Sequence, residues 1–118
     1  MVKGNNMALQ HTIKEPGQLA GVGLHTGEEA TVTICPAEEN YGIRFSRKDL
    51  NGSPEIKADI DNVVDNSRGT AIGEGSTRIY TIEHLMSALA GMRIDNCRVE
   101  VDAPEIPLMD GSALLFVK

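Results

Sequence analysis

The sequence has few aromatic residues, few cysteines and no long hydrophobic run. Its 118 residues include no tryptophan and only two tyrosines, two phenylalanines and two cysteines. So few aromatic rings leave little surface on which nucleic-acid bases could stack, and a formal net charge of -6 opposes binding to a phosphate backbone. No apolar run is long enough to span a bilayer. We therefore expect neither nucleic-acid binding nor a transmembrane segment.

Cysteine spacing and the composition of the N-terminus indicate the cellular compartment of the protein. Cys35 and Cys97 lie far apart and form no CxxC pair, which favours two reduced, buried thiols over a disulfide framework. Residues 1–10 contain no apolar stretch followed by a small-residue cleavage site, so they do not resemble a secretory signal. We expect a cytoplasmic protein. Residues 1–9 are expected to form a flexible tail.

Length and local periodicity predict one α+β domain. A chain of this length supports one hydrophobic core and is too short for two domains of ordinary size. Several segments show the period-2 alternation or β-branched composition of strands. These segments are residues 11–14, 18–24, 31–35, 41–45, 56–64, 70–72, 77–80 and 97–101. The first two flank the turn signal Pro16-Gly17 and are predicted to pair as a hairpin, and the polar residues 46–54 are predicted to form a loop.

Residues 81–91 show the periodicity of an amphipathic helix. The apolar positions fall at helical spacing: Ile82, Leu85, Met86, Leu89 and Ala90. Thr81 is the predicted N-cap and Gly91 the predicted C-terminal stop. Residues 112–118 are predicted to begin a second helix, for which the sequence supplies no C-terminal cap. The predicted fold is α+β, a two-layer sandwich with a mainly antiparallel sheet packed against one or two helices.

Glu83 and His84 are adjacent in the first turn of the predicted helix. His84 lies nearly opposite the apolar stripe, so it is not expected in the core. An acidic residue in the first turn is an ordinary helix start, because the macrodipole favours it there. In the alternative, a neutral His84 imidazole binds a metal and Glu83 is the general base toward the attacking water. The dipeptide alone favours the ordinary helix start.

Three sequence blocks and their order resemble a known family. The blocks are GVGLHTG at residues 21–27, TIEHLMSALAG at residues 81–91 and IDNCRVEVDAPEIPLMDGSA at residues 94–113. They resemble the N-terminal half of the UDP-3-O-acyl-N-acetylglucosamine deacetylases, the zinc enzymes of lipid A biosynthesis in Gram-negative bacteria. The resemblance implies that residues 10–118 form the first of two related domains, with a ribosomal protein S5 domain 2-like fold and an active site between the domains.

The resemblance also implies roles for individual residues. His84 matches the family's first zinc ligand, and Glu83 matches the carboxylate that activates the attacking water. Leu24 and His25 match a loop near the substrate groove, and Gly69 and Thr70 match a segment beside the acyl-chain passage. The family's other two zinc ligands, a His and an Asp in an HxxxD arrangement, belong to the second domain.

Two functional hypotheses follow. In the leading one, this chain is part of a zinc-dependent hydrolase that removes acetate from UDP-3-O-acyl-N-acetylglucosamine. Its partners are then the nucleotide substrate and a C-terminal domain absent from this chain. The chain alone is expected to be inactive and to bind Zn²⁺ weakly or not at all, because catalytic zinc takes three protein ligands as a rule. The alternative is a non-catalytic binding or docking module that retains the domain fold.

Overall fold

A computed structural model of the chain describes residues 9–64 and 70–107. The strands are β1 (Gly17–Val22), β2 (Glu29–Pro36), β3 (Ile43–Arg47), β4 (Glu55–Lys57), β5 (Val63–Val64), β6 (Ala71–Glu74), β7 (Thr77–Tyr80) and β8 (Cys97–Val101). The helix α1 spans Glu83–Gly91, and a short 3-10 helix spans Ile60–Asn62. Residues 1–8 of the predicted tail, Gly69 and the predicted helix at 112–118 lie outside the described residues. Within the described ranges, no helix is long and apolar enough to cross a membrane.

Two sheets account for the described strands. The larger sheet has the order β1-β2-β8-β3-β4, and the smaller has the order β5-β6-β7. Every pair is antiparallel except β3 with β8, which is parallel. A parallel pair requires a long crossover, and here the crossover contains the smaller sheet and α1. The predicted α+β class with mainly antiparallel sheets is therefore confirmed.

The core forms where α1 and the larger sheet bury their apolar sides together. Every second residue along the middle of β2 is buried, as the alternation in residues 31–35 implies: Ala30, Val32 and Ile34. Leu85 and Leu89 of α1 belong to the same buried cluster as Phe45 of β3 and Val99 of β8. Packing fixes this side of α1 inward, so the opposite side of the helix is turned outward. Ala90, which was predicted in the apolar stripe, is exposed.

The predicted hairpin between residues 11–14 and 18–24 is wrong. β1 pairs instead with β2, from Gly17 opposite Ile34 to Val22 opposite Glu29. Residues 11–14 form no strand. His11 contacts the turn after α1, because its carbonyl accepts the N–H groups of Asp95 and Asn96 at 2.9 and 3.1 Å. Short alternating segments predict extended backbone but do not identify their partners.

The predicted N-cap of α1 is wrong, whereas the predicted stop at Gly91 is confirmed. The N-cap position is Ile82, without a side-chain cap bond, and Thr81 lies before it with a φ of 62°. At the other end the helix does stop at Gly91, but Arg93 is the residue with left-handed backbone, at a φ of 60°. Arg93 N–H donates to the Ala90 carbonyl, and the N–H of the next residue reaches back to Leu89. These bonds form a Schellman motif.

The loop predicted at residues 46–54 begins later, because β3 continues through Arg47. Its guanidinium is almost fully buried yet satisfied: Asp49 accepts two hydrogen bonds, at 2.8 and 2.6 Å, and the Arg78 carbonyl accepts a third at 2.9 Å. The polar composition of residues 46 and 47 therefore led to a wrong prediction of loop where the strand continues. The extended pattern predicted over residues 56–64 is interrupted by the 3-10 helix, where Asp59 Oδ1 accepts the Asp61 N–H.

Candidate active site

The Glu83–His84 pair lies at the first turn of α1. Glu83 is the first helical residue and His84 the second. Because the next residue, Leu85, is turned into the core, His84 is directed away from it and is exposed. The outward side that His84 shares carries small residues at Ser87, Ala88 and Gly91. Another chain segment or a ligand can therefore approach His84 closely.

Thr70 holds the Glu83 carboxylate through its backbone. The Thr70 N–H donates to Glu83 Oε1 at 3.1 Å, and the Ile82 N–H donates to the Thr70 carbonyl at 3.1 Å. These bonds tie the residue before β6 to the start of α1. The structure thus brings together Thr70 and Glu83, two residues that the sequence had singled out separately. Gly69, predicted to lie beside them, is outside the described residues.

Leu24 and His25 lie in the turn between β1 and β2. This segment, residues 23–27, is here named the turn loop. It is closed by hydrogen bonds from Gly23 N–H to the Glu28 carbonyl at 2.9 Å and from Gly27 N–H to the Gly23 carbonyl at 3.1 Å. Leu24 is 58% exposed, and His25 is also exposed. Both side chains are therefore available to contact a ligand.

The carboxylate of Glu105 joins the turn loop to the start of α1. The residue is only 1% exposed. It accepts hydrogen bonds from His25 N–H at 3.1 Å, from Thr26 N–H at 2.8 Å and from the Thr81 hydroxyl at 2.7 Å. Glu105 and these three donors are named the Glu105 clamp. Because the helix begins two residues after Thr81, the clamp connects both groups of predicted site residues.

Electrostatics favour an ionised Glu105 at neutral pH. Burial by itself would raise the pKa of this carboxyl. The hydrogen bonds from Thr26, Thr81 and His25 outweigh burial and hold the pKa of Glu105 below its ordinary value. A buried charge is stable only while its donors remain in place. The clamp therefore restrains the carboxylate and its donors together.

The described residues can supply only part of a metal site. Within residues 9–64 and 70–107, no group of three His, Cys, Asp or Glu side chains is placed to hold a metal ion. His84 presents an exposed imidazole next to a carboxylate, which fits one ligand of a zinc site. A catalytic zinc site takes three protein ligands as a rule. Further ligands would have to come from outside the described residues.

Comparison with known proteins assigns the family. Residues 10–118 match the family model described as LpxC, UDP-3-O-acyl N-acetylglycosamine deacetylase. The chain belongs to the LpxC family. The match takes in all three blocks that carried the resemblance, and with them the turn loop, the Glu83–His84 pair and Glu105.

Several relatives in this LpxC family are about half identical to the chain. The UDP-3-O-acyl-N-acetylglucosamine deacetylase of an Anaeromyxobacter species is 51% identical over 108 residues, which cover 92% of this chain and 35% of the relative. The deacetylase of Shewanella halifaxensis is 52% identical over 112 residues, 94% of this chain and 37% of the relative. The bifunctional enzyme LpxC/FabZ of Chlorobaculum tepidum is 50% identical over 109 residues, 92% of this chain and 23% of the relative. The chain thus spans between about a quarter and somewhat over a third of the length of these relatives.

Glu105 is the residue of this LpxC-family site that the sequence patterns did not single out. It lies in the third block, between Pro104 and Ile106. A glutamate within an otherwise apolar, proline-flanked segment was the available signal, since acidic residues are almost never fully buried unless paired. Its backbone donors lie 79 and 80 residues earlier in the chain. No local pattern could have identified them.

Proposed function

We propose that this chain is the N-terminal part of a zinc-dependent deacetylase that hydrolyses the acetamide of UDP-3-O-acyl-N-acetylglucosamine in lipid A biosynthesis. The observation that carries the proposal is the placement of the Glu83–His84 pair. It occupies the first turn of α1, with His84 turned outward and Glu83 held by a backbone N–H of Thr70. Relatives that are 51% and 52% identical over the matched part are named deacetylases, which supports the assignment.

The proposed reaction adds water across the amide bond and releases acetate and a free amine. A zinc ion, when bound, would polarise the acetamide carbonyl and make the attacking water more acidic. His84 would supply one imidazole nitrogen to hold the ion. Glu83 takes a proton from the water as general base, and its hydrogen bond with Thr70 keeps the carboxylate oriented for this transfer. We assign stabilisation of the oxyanion and protonation of the departing amine to the family's second domain.

The proposed substrate contacts are Leu24, His25, Gly69 and Thr70. The exposed apolar side chain of Leu24 suits contact with an acyl chain. His25 is exposed beside it on the turn loop. The placement of Thr70 next to Glu83 supports a substrate position close to the reacting amide.

The site is proposed to be shared between two domains. One imidazole on α1 meets only part of the requirement of a catalytic zinc ion. We therefore expect the chain alone to be inactive and to bind Zn²⁺ weakly. For residues 10–118 we propose a ribosomal protein S5 domain 2-like, two-layer arrangement, supported by the mixed larger sheet and the buried side of α1.

Thiol chemistry supports a cytoplasmic location. Cys35 and Cys97 are both free, and free thiols are typical of a reducing compartment. Burial, followed by the charge effect of Cys35, raises the pKa of Cys97 to about 12. The Cys97 thiol is therefore unreactive at neutral pH, and we assign it a packing role.

A fusion protein tests the proposed function. In the fusion, residues 10–118 replace the matching segment of the Shewanella halifaxensis relative. Deacetylation of UDP-3-O-acyl-N-acetylglucosamine is then measured for the fusion, for the intact relative and for this chain alone. We expect turnover by the fusion and none by the chain alone. A folded, zinc-loaded fusion without activity would contradict the assignment and would favour the non-catalytic docking module.

A further inference from the structure

Among the described residues, Glu105 has the only buried carboxylate. It takes no part in the proposed chemistry, because its oxygens are directed at the turn loop and at Thr81. Burying a charge costs free energy unless hydrogen bonds satisfy it. The position of Glu105 between the turn loop and the start of α1 indicates that it holds these two segments together.

On the turn-loop side, the backbone at Gly23 packs so closely against Glu105 that a side chain does not fit between them. Gly23 is buried, and a Cβ added to it would lie 3.0 Å from Glu105 Cδ and closer still to Oε1. Two consecutive backbone N–H groups, those of His25 and Thr26, are directed at the same carboxylate. The loop backbone is therefore shaped around Glu105.

On the helix side, Thr81 adopts a backbone conformation that it does not favour. Its φ of 62° is left-handed, which is uncommon and strained for a β-branched residue. Its hydroxyl donates to Glu105 at 2.7 Å, which holds it in that conformation. The Glu105 segment is itself fixed along β7, since Tyr80 N–H donates to the Pro104 carbonyl and Ile106 N–H donates to the Tyr80 carbonyl. The direction in which α1 starts thus depends on the clamp.

We propose that Glu105 is a positioning residue for deacetylation: its carboxylate fixes the turn loop and the start of α1 relative to each other. The inference rests on the proposed function, because the groups that it positions are the substrate contacts of the loop and the Glu83–His84 pair. Glu105 acts through Thr81 on one side and through the loop backbone on the other. It touches neither the substrate nor the metal.

Amide hydrogen exchange in the full chain tests the coupling without an activity assay. Thr81→Val removes the hydroxyl donor, whereas Thr81→Ser retains it. We expect Thr81→Val to speed exchange at the N–H groups of His25 and Thr26 at least tenfold, and Thr81→Ser to leave it near the wild-type rate. Ile56→Val, a change of the one buried residue in the edge strand β4, is the control for a general loss of stability. If Thr81→Val does not fold, Glu105→Gln replaces it with the same expectation. Unchanged exchange at the His25 and Thr26 N–H groups, in whichever of the two variants is measured, would overturn the inference.

Kinetics in the fusion protein test the consequence for the reaction. We expect Thr81→Val to lower kcat at least tenfold, since a displacement of about 1 Å can cost about 100-fold, and to raise KM. Thr81→Ser should restore both, and Ile56→Val should change neither. If Glu83→Gln is inactive while Thr81→Val and Glu105→Gln are fully active, the positioning role fails and the proposed function stands. If the unsubstituted fusion shows no turnover, the proposed function fails, and hydrogen exchange in the chain still decides whether the clamp couples loop and helix.

Discussion

Glu83→Gln is expected to lower the turnover of the fusion protein by about 10²- to 10⁴-fold, the usual contribution of a general base. Glutamine has nearly the same shape, and its side-chain oxygen can still accept the N–H of Thr70, which bonds Glu83 at 3.1 Å. The fold should therefore be unchanged. Only the ability to take a proton from water is lost. The measurement is kcat at neutral pH, together with the zinc content of the purified variant.

The zinc content distinguishes loss of the base from loss of the metal. His84 remains in place in Glu83→Gln, so zinc should be retained at the level of the unsubstituted fusion. Glu39→Gln, which makes the same chemical change at an exposed position, should leave both turnover and zinc unchanged. Near-normal turnover of Glu83→Gln would show that the carboxylate is not the base and that its place in the first turn is an ordinary helix start.

Glu105→Ala is expected to lower the stability of this chain strongly, because it removes a buried carboxylate that accepts three hydrogen bonds. Removing the carboxylate leaves the buried Thr81 hydroxyl and two partly buried backbone N–H groups of the turn loop without their acceptor. An unsatisfied buried donor costs about 1–3 kcal/mol and a partly buried one costs less, so we expect the free energy of unfolding to fall by about 2–4 kcal/mol. Urea denaturation of the chain measures it.

A surface carboxylate provides the control for Glu105→Ala. Glu100 accepts a hydrogen bond from Arg98 at 2.9 Å in a partly exposed ion pair. Such pairs contribute about 1 kcal/mol or less, so Glu100→Ala should have a small effect. Equal losses from the two substitutions would contradict the account of the clamp.

The clamp also gives the stability of the chain a pH dependence. Because the pKa of Glu105 is lowered on folding from its ordinary value of 4.5, its ionised form contributes stability that is fully present above that value. The contribution is lost as the pH falls toward the lower, folded pKa. Glu105→Gln should abolish this part of the acid dependence. Asp49, whose pKa is lowered by its hydrogen bonds with Arg47, has the same sign and remains in both proteins.

Local periodicity was sufficient for the parts of the fold that depend on one element. The alternation that buries Val32 and Ile34 and the helical spacing of Leu85 and Leu89 both follow from residues close together in the chain. The outward direction of His84 follows from the same helical geometry. These features were predictable because neighbours in sequence determine them.

Long-range partners were not predictable from the patterns. The segment at residues 11–14 does not form a hairpin. Its His11 carbonyl instead accepts the N–H groups of Asp95 and Asn96. Thr81 has the composition of an N-cap, but its hydroxyl bonds Glu105 instead of the helix backbone. In each case a contact between distant residues competes with a local preference and prevails. The candidate site depends on such contacts, which is why the Glu83–His84 pair was identified from sequence and Glu105 was not.

A zinc titration by calorimetry tests the claim of a shared site most directly. Zinc is titrated into this chain, into the fusion protein and into His84→Ala versions of both. If the chain supplies one ligand of a site completed by another domain, it should bind zinc weakly or not at all. The fusion should bind one zinc tightly, and His84→Ala should weaken that binding. Tight one-to-one binding by the chain alone, lost in His84→Ala, would contradict the account, because ligands within these 118 residues would then complete the site.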